Sequence, residues 1–341
     1  MRQLSYNKNN SIHQVILMQT NLVKAVSLLL ALICSSTQVS VASDVVNLTL
    51  ANVDGHLKHA ESQFPDIVNG TEKHIRWHHQ NKRKESYSIV YIHGFSASGK
   101  EVSPMIELLA DKLQANLYYS RLQGHGRSSV DAMGEADLKN WKQEALDALN
   151  IGKLIGDKTI LIGTSTGGTL ITWLNAQKQA AGVHATIMIS PNFAVKNRLA
   201  GLMQWSWLRW IIKKTQGEYR SFQPLNDYHA TYWTTRYPVD ALLPMLDLVE
   251  EVAELDKSVI TTPQLAIYSP NDQIVDVEKT AEAMQAMTNA HRVTKHYTDT
   301  TDPVQHLLAG MVSTEKQNSG FADLIIEFVT DLTMKASEST Q

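Results

Sequence analysis

The chain has 341 residues, 43% of them hydrophobic, with 31 Lys and Arg against 34 Asp and Glu and a formal net charge of −3. That composition suits a folded α/β-sized core and gives no basic excess for a nucleic-acid partner. One cysteine, Cys34, excludes an intrachain disulfide framework.

Residues 1–42 read as an export leader. Residues 1–17 are polar with a few positive charges, Met18 is an alternative start, and Lys24 precedes the apolar run 25–33. The run is too short for a membrane span of about 20 residues and fits a secretory signal, with Ser40-Val41-Ala42 offering small residues for cleavage after Ala42. The protein is therefore expected to be exported, periplasmic or secreted, with an uncleaved N-terminal membrane anchor as the alternative. Ile33 stands before Cys34 where lipidation needs Gly, Ala or Ser, so a lipid anchor is not expected.

Past the leader, Lys82-Arg83-Lys84 reads as a hairpin tip between strands at 75–79 and 86–92. The second strand ends in His93-Gly94-Phe95. His74, His78 and His79 would not share one strand face, and no carboxylate or cysteine pattern completes a metal site. A further strand at 117–120 leads into Leu122-Gln123-Gly124-His125-Gly126-Arg127-Ser128. Residues 152–159 only glance at a phosphate loop, because Asp157 occupies the second glycine position and the segment joins a helix to a strand.

The apolar run Ile160-Leu161-Ile162 then enters Gly163-Thr164-Ser165-Thr166-Gly167-Gly168, and helix-compatible sequence follows at 169–177. A strand ending in G-x-S-x-G before a helix is the pattern of a nucleophile elbow, a turn so sharp that the residues flanking the serine must be small. Ser165 is the candidate nucleophile. A triad on such a sheet runs Ser, Asp or Glu, then His, each on a loop after a strand. After the next strand, 185–190, the segment 192–261 shows helical patterns and no core strand. The strand 264–268 then empties into a loop holding Asp272, the candidate acid. Its rival Asp276 stands before the helical pattern 277–287 and reads as that helix's N-cap. A strand at 292–297 and a loop deliver His306, the candidate base, ahead of a helical segment beginning at Leu307. His291, in the turn entering that strand, and His296, in its body, are the competitors.

Attack of Ser165 on an ester carbonyl puts negative charge on oxygen, which preorganised N–H groups stabilise. His93-Gly94-Phe95 resembles the H-G-x turn that supplies one oxyanion-hole amide in hydrolases with such an elbow. On that resemblance the amides of Phe95 and Thr166, the residue after the nucleophile, are the candidate donors, with Gly94 giving the backbone freedom to turn the first inward.

These motifs, spread over residues 88–312, resemble the α/β-hydrolase superfamily, and more closely its monoacylglycerol lipase and carboxylesterase-like branch, also labelled serine aminopeptidase-like. Gln123 departs from the usual proline of the L-P-G-H-G turn, and Thr164 and Thr166 flank the serine where histidine and methionine are frequent. The resemblance implies an α/β fold with a mostly parallel sheet, helices on both faces and an inserted helical cap. The expected order is leader 1–42, core 43–191, cap 192–261 and core 262–335. It implies a structural or pocket-lining role for His125, no cofactor, no metal, and a small-molecule ester or lipid substrate. Trp205, Trp207, Trp210, Tyr219, Phe222, Tyr228, Tyr232, Trp233 and Tyr237 fall in the cap segment. They fit an apolar acyl pocket with transient membrane-surface contact through 203–212, or simply the glue of a small cap. The alternatives to an ester hydrolase are an amidase or aminopeptidase, a C–C bond hydrolase on the same triad, or a non-catalytic binding protein of this fold.

Overall fold

The computed structural model describes residues 47–177, 180–196, 210–211, 213–215, 217–311 and 313–338. The leader with Met18, Cys34 and the Ala42 site, and Trp205 and Trp207, lie outside the described residues. Residues Leu48–Gln341 form one compact unit.

After helix α1 (Val53–Glu61), strands β1 (His74–Arg76), β2 (Glu85–Ile92) and β3 (Asn116–Tyr119) alternate with α2 (Met105–Leu113). Then come α3 (Leu138–Ile155), β4 (Gly156–Thr164), α4 (Thr166–Ala176) and β5 (Ala185–Ile189). A ribbon, β6 (Tyr219–Ser221) and β7 (Arg236–Pro238), flanks α5 (Asp227–Tyr232); α6 (Leu243–Glu254), β8 (Gln264–Tyr268), α7 (Val277–Ala286), β9 (Arg292–His296) and α8 (Glu315–Glu338) complete the order. Among the described residues the main sheet has seven strands in the order β1-β3-β2-β4-β5-β8-β9. Only β1 is antiparallel to its neighbour, as expected of a doubly covered α/β sheet.

The core follows from the two-residue period of strands. Val90, Ile92, Leu161 and Met188 point to one face, where they meet α3, α4 and α6. Ile89, Tyr91, Ile160 and Ile162 point to the other, against α2 and α8. The central strands are buried on both faces, which is why they read as unbroken apolar runs. The elbow helix α4 is buried nearly all round, as a helix wedged between a sheet and a second helix must be.

Three expectations are corrected. β1 pairs with β3, His74 opposite Tyr119, and β2 lies on the far side of β3, so 82–84 is not a hairpin tip. Asn116 at the start of β3 explains the detour: its side chain accepts from His78 N at 2.9 Å and donates to Arg83 O at 2.8 Å, tying both ends of the crossing segment to β3. No helix begins at Leu307 either. Gly310 turns the chain at φ 96°, and Asn318 holds both its N–H (2.7 Å) and its C=O (2.9 Å), so the last helix starts at Glu315. Within 192–261 the chain is not purely helical: it carries the β6–β7 ribbon. Its helix α6 packs on α3 and α4 through buried residues such as Leu248 and Val252, as part of the main layers. Among the described residues no helix is long and apolar enough to cross a membrane.

Candidate active site

Ser165 leaves β4 at φ 51° and ψ −115°, an uncommon conformation for a non-glycine residue and the geometry of the elbow. Its neighbours show why they are small. A Cβ on Gly167 would lie 2.0 Å from Ile92 O, and one on Gly163 would lie 2.5 Å from the Gly167 backbone. Any side chain at either position would force α4 off the sheet.

The loop bearing His306 meets this turn because both are fastened to the end of β5. Ser165 N–H donates to Ile189 O at 2.9 Å, and the next residue, Ser190, donates its hydroxyl to His306 O at 2.8 Å. His306 is buried, and its Nδ1 is 2.7 Å from Asp272 Oδ2. A ring nitrogen facing a carboxylate oxygen donates, so Nδ1 carries a proton, and in the neutral ring the lone pair is then on Nε2.

Asp272 has no exposure to solvent. Its Oδ1 accepts from Ile274 N at 2.7 Å and Val275 N at 3.0 Å, which leaves Oδ2 for the imidazole. The loop is braced from outside by Lys196, whose Nζ donates to Asp272 O at 2.6 Å, and by an antiparallel bridge between Val195 and Val275. Asp276 caps α7, accepting from Glu278 N at 3.1 Å. Of the other histidines, His296 stands on β9 with Nε2 at 3.3 Å from Tyr268 OH, and His291 stacks on Phe328; neither pairs with Asp272.

The loop bearing His306 depends on a residue the sequence reading missed. Asp302, 2% exposed, accepts from His306 N (2.9 Å) and Leu307 N (2.8 Å) on one oxygen and from Val304 N (3.2 Å) on the other. Thr301-Asp302-Pro303 was legible as a turn signal, but not as the clamp on the histidine's backbone. Asp302→Ala leaves three N–H groups without their acceptor. It is expected to cost about 1–3 kcal/mol, read as a lower urea midpoint at unchanged slope, with a larger fractional loss of turnover than of stability at room temperature.

On the other side, His93 and Gly94 come off β2. His93 Nδ1 donates to Gly94 O at 2.8 Å and Nε2 accepts from Leu122 N at 3.0 Å. Burial holds this imidazole neutral, well below the usual histidine range. A Cβ on Gly94 would be 3.3 Å from Ser165 Cβ, so the turn carrying Phe95 passes directly over the nucleophile. The Phe95 ring is set edge-on between His125 (5.9 Å) and Tyr237 of β7 (5.1 Å). His125 is fully buried among His93, Phe95 and Trp141, and burial pushes its pKa down to about 4. Thr166 opens α4, and its buried hydroxyl has no protein partner. Among the described residues no cluster of three His, Cys, Asp or Glu side chains could hold a metal.

Comparison with solved structures supports this architecture. A metagenome-derived lipolytic enzyme of the LipS and LipT pair superimposes with a TM-score of 0.62 at 14% identity, covering 78% of this chain and 99% of its own. A monoacylglycerol lipase from Paleococcus ferrophilus gives 0.57 at 17%, covering 76% and 99%. A soluble variant of the Saccharomyces cerevisiae monoglyceride lipase, in complex with a substrate analogue, gives 0.56 at 14%, covering 79% and 98%. A search of curated sequences returned no match. The family model described as serine aminopeptidase, S33 (Hydrolase_4) matches residues 83–301. With that match across the sheet, the elbow and the acid loop, the chain belongs to the serine aminopeptidase S33 family of α/β-hydrolases.

Proposed function

We propose that the protein is a serine hydrolase that cleaves carboxylic esters through an acyl-enzyme. The observation that carries this reading is the 2.7 Å pair of Asp272 and His306 on a loop hydrogen-bonded to Ser190, one residue from the carbonyl that takes Ser165 N–H. In the proposed cycle His306 Nε2 takes the Ser165 hydroxyl proton as Oγ attacks the ester carbonyl. The amides of Phe95 and Thr166 hold the oxyanion, and His306 then protonates the departing alcohol. Asp272 keeps the imidazole in the Nδ1–H tautomer and supports its positive charge. Water, activated by the same histidine, releases the acid, and no cofactor enters.

Of the segment 192–261 expected to form the cap, the part before the helix Leu243–Glu254, which packs in the main layers, is the proposed cap. Its described part rests on the oxyanion turn: Thr234 N donates to Ser96 O at 2.7 Å, Tyr228 OH donates to Lys100 O at 3.2 Å, and Tyr237 packs on Phe95. These aromatic contacts support an apolar acyl chain as the group held there. Trp210, 61% exposed, and Ile211, 39% exposed, stand beside Lys213 and Lys214 and support a transient lipid-surface contact. Export through residues 1–42, with removal after Ala42, completes the proposal.

The test is turnover of a p-nitrophenyl ester series from acetate to palmitate by the purified protein, with an aminoacyl-p-nitroanilide alongside. Ester turnover rising with chain length to an optimum is expected, and the intact mass of the same preparation reads whether residues 1–42 have gone. Anilide turnover without ester turnover would replace the ester reading with an aminopeptidase.

A further inference from the structure

Beneath the turn that carries Phe95 lies a carboxyl group that the proposed mechanism does not use. Glu101 follows His93 by eight residues, in the connection from β2 to α2, and is 4% exposed. Two donors converge on its Oε2: Tyr91 OH at 2.7 Å and Gly94 N at 2.8 Å. Tyr91 OH is also 2.9 Å from Thr164 Oγ1. Because the phenol's one proton is directed to Glu101, Thr164 donates to the phenol oxygen. A chain of hydrogen bonds thus runs from the residue before Ser165, through Tyr91 and Glu101, to the amide of Gly94.

The consequence is geometric. Gly94 is held on both sides by side chains: Glu101 takes its N–H, and His93 Nδ1–H takes its C=O at 2.8 Å. The Gly94–Phe95 peptide is planar and trans, so fixing its C=O toward His93 aims the Phe95 N–H the opposite way. Without an acceptor for Gly94 N–H, rotation about the Gly94 dihedrals is opposed only from the C=O side, and glycine has no Cβ to limit it. The gap is too tight for a substitute fixed by the glycine itself, since a Cβ there would sit 2.9 Å from Glu101 Oε1 and 3.3 Å from Ser165 Cβ.

We propose, resting on the reading of Phe95 as an oxyanion donor, that Glu101 is a positioning residue for that donor: its Oε2, by holding Gly94 N–H, sets the direction of the Phe95 amide. The role belongs to the acceptor and not to the charge. Burial raises the carboxyl's pKa, and a full negative charge beside a developing oxyanion would oppose catalysis.

Four proteins test this: wild type, E101Q, E101D and E101M, each checked for folding by its melting transition. The readouts are kcat and KM on the best p-nitrophenyl ester, and inhibition by phenylboronic acid, which forms a tetrahedral adduct on an active serine. Glutamine presents an oxygen at the same reach, so E101Q is expected to stay within about threefold of wild type. Aspartate keeps the carboxyl group but withdraws the acceptor by one methylene, and methionine removes it. Both are expected to lose about 10²-fold in kcat, the size of one oxyanion donor, with KM within about threefold and boronate affinity falling in parallel. The proposal is overturned if E101D and E101M keep kcat within about threefold, if E101Q falls as far as E101D, or if the loss lies in KM. Should E101M not fold, the Gln and Asp pair decides alone. Failure of the underlying reading is seen separately, in the wild type: no ester turnover and no labelling of Ser165 by a fluorophosphonate overturns the serine-hydrolase reading and this proposal with it.

Discussion

Asp272→Asn is expected to lower kcat by about 10⁴-fold while leaving the melting temperature within a few degrees of wild type. The size follows from the way the carboxylate is shared. Oδ1 accepts two backbone N–H groups, from Ile274 and Val275, and Oδ2 accepts from His306 Nδ1. An amide can satisfy only one of these duties. If its oxygen keeps the turn, its NH2 faces the imidazole and forces the proton onto Nε2, where a base can no longer act. If its oxygen faces the imidazole, its NH2 confronts two donors in a site closed to water. Steady-state turnover with a melting curve checks both statements. A variant retaining more than a tenth of wild-type kcat would remove Asp272 from the triad.

Ser165→Ala is expected to have the largest effect, a loss of about 10⁶ in kcat, with covalent fluorophosphonate labelling abolished. Ser165 is 7% exposed, and alanine faces the same positive-φ backbone cost that serine already bears at φ 51°. The fold should therefore be unaffected. Mass spectrometry of the labelled wild type, digested to peptides, should find the adduct on the peptide containing Ser165. An adduct elsewhere, or S165A turnover equal to wild type, would displace the nucleophile assignment.

Much of this site was legible from order and pattern. The central strands are buried on both faces, so their sequences are continuous apolar runs, and β4, β5 and β8 stand where those runs predicted. Asp272 was singled out because it follows such a strand, β8, and His306 because it follows β9, an edge strand that alternates instead, and the structure brings the two side chains within 2.7 Å. Asp276 was separable from Asp272 because a helix start has its own chemistry. The errors share a cause: they concern contacts that no local period reports. The pairing of β1 with β3 depends on Asn116 reaching two distant carbonyl and amide groups. The absence of a helix at Leu307 depends on Asn318 capturing Gly310 from the next helix. The strands β6 and β7 have three residues each, too few for an alternation to register. Asp302 and Glu101 act on backbone N–H groups, so their sequence neighbourhoods carry no side-chain pattern that would mark them.

The contacts of Thr234, Tyr228 and Tyr237 with the turn at 94–101 bear on how such an enzyme changes its diet. The surface that would sort substrates shares a wall with the amide that would stabilise their transition states. On the proposed reading, substitutions at 228–237 that fit a new acyl or alcohol group would reach turnover as well as affinity. Under selection for a new ester, kcat and KM would drift together, and adaptation would favour changes on the far side of the segment, where fit can be altered without disturbing rate.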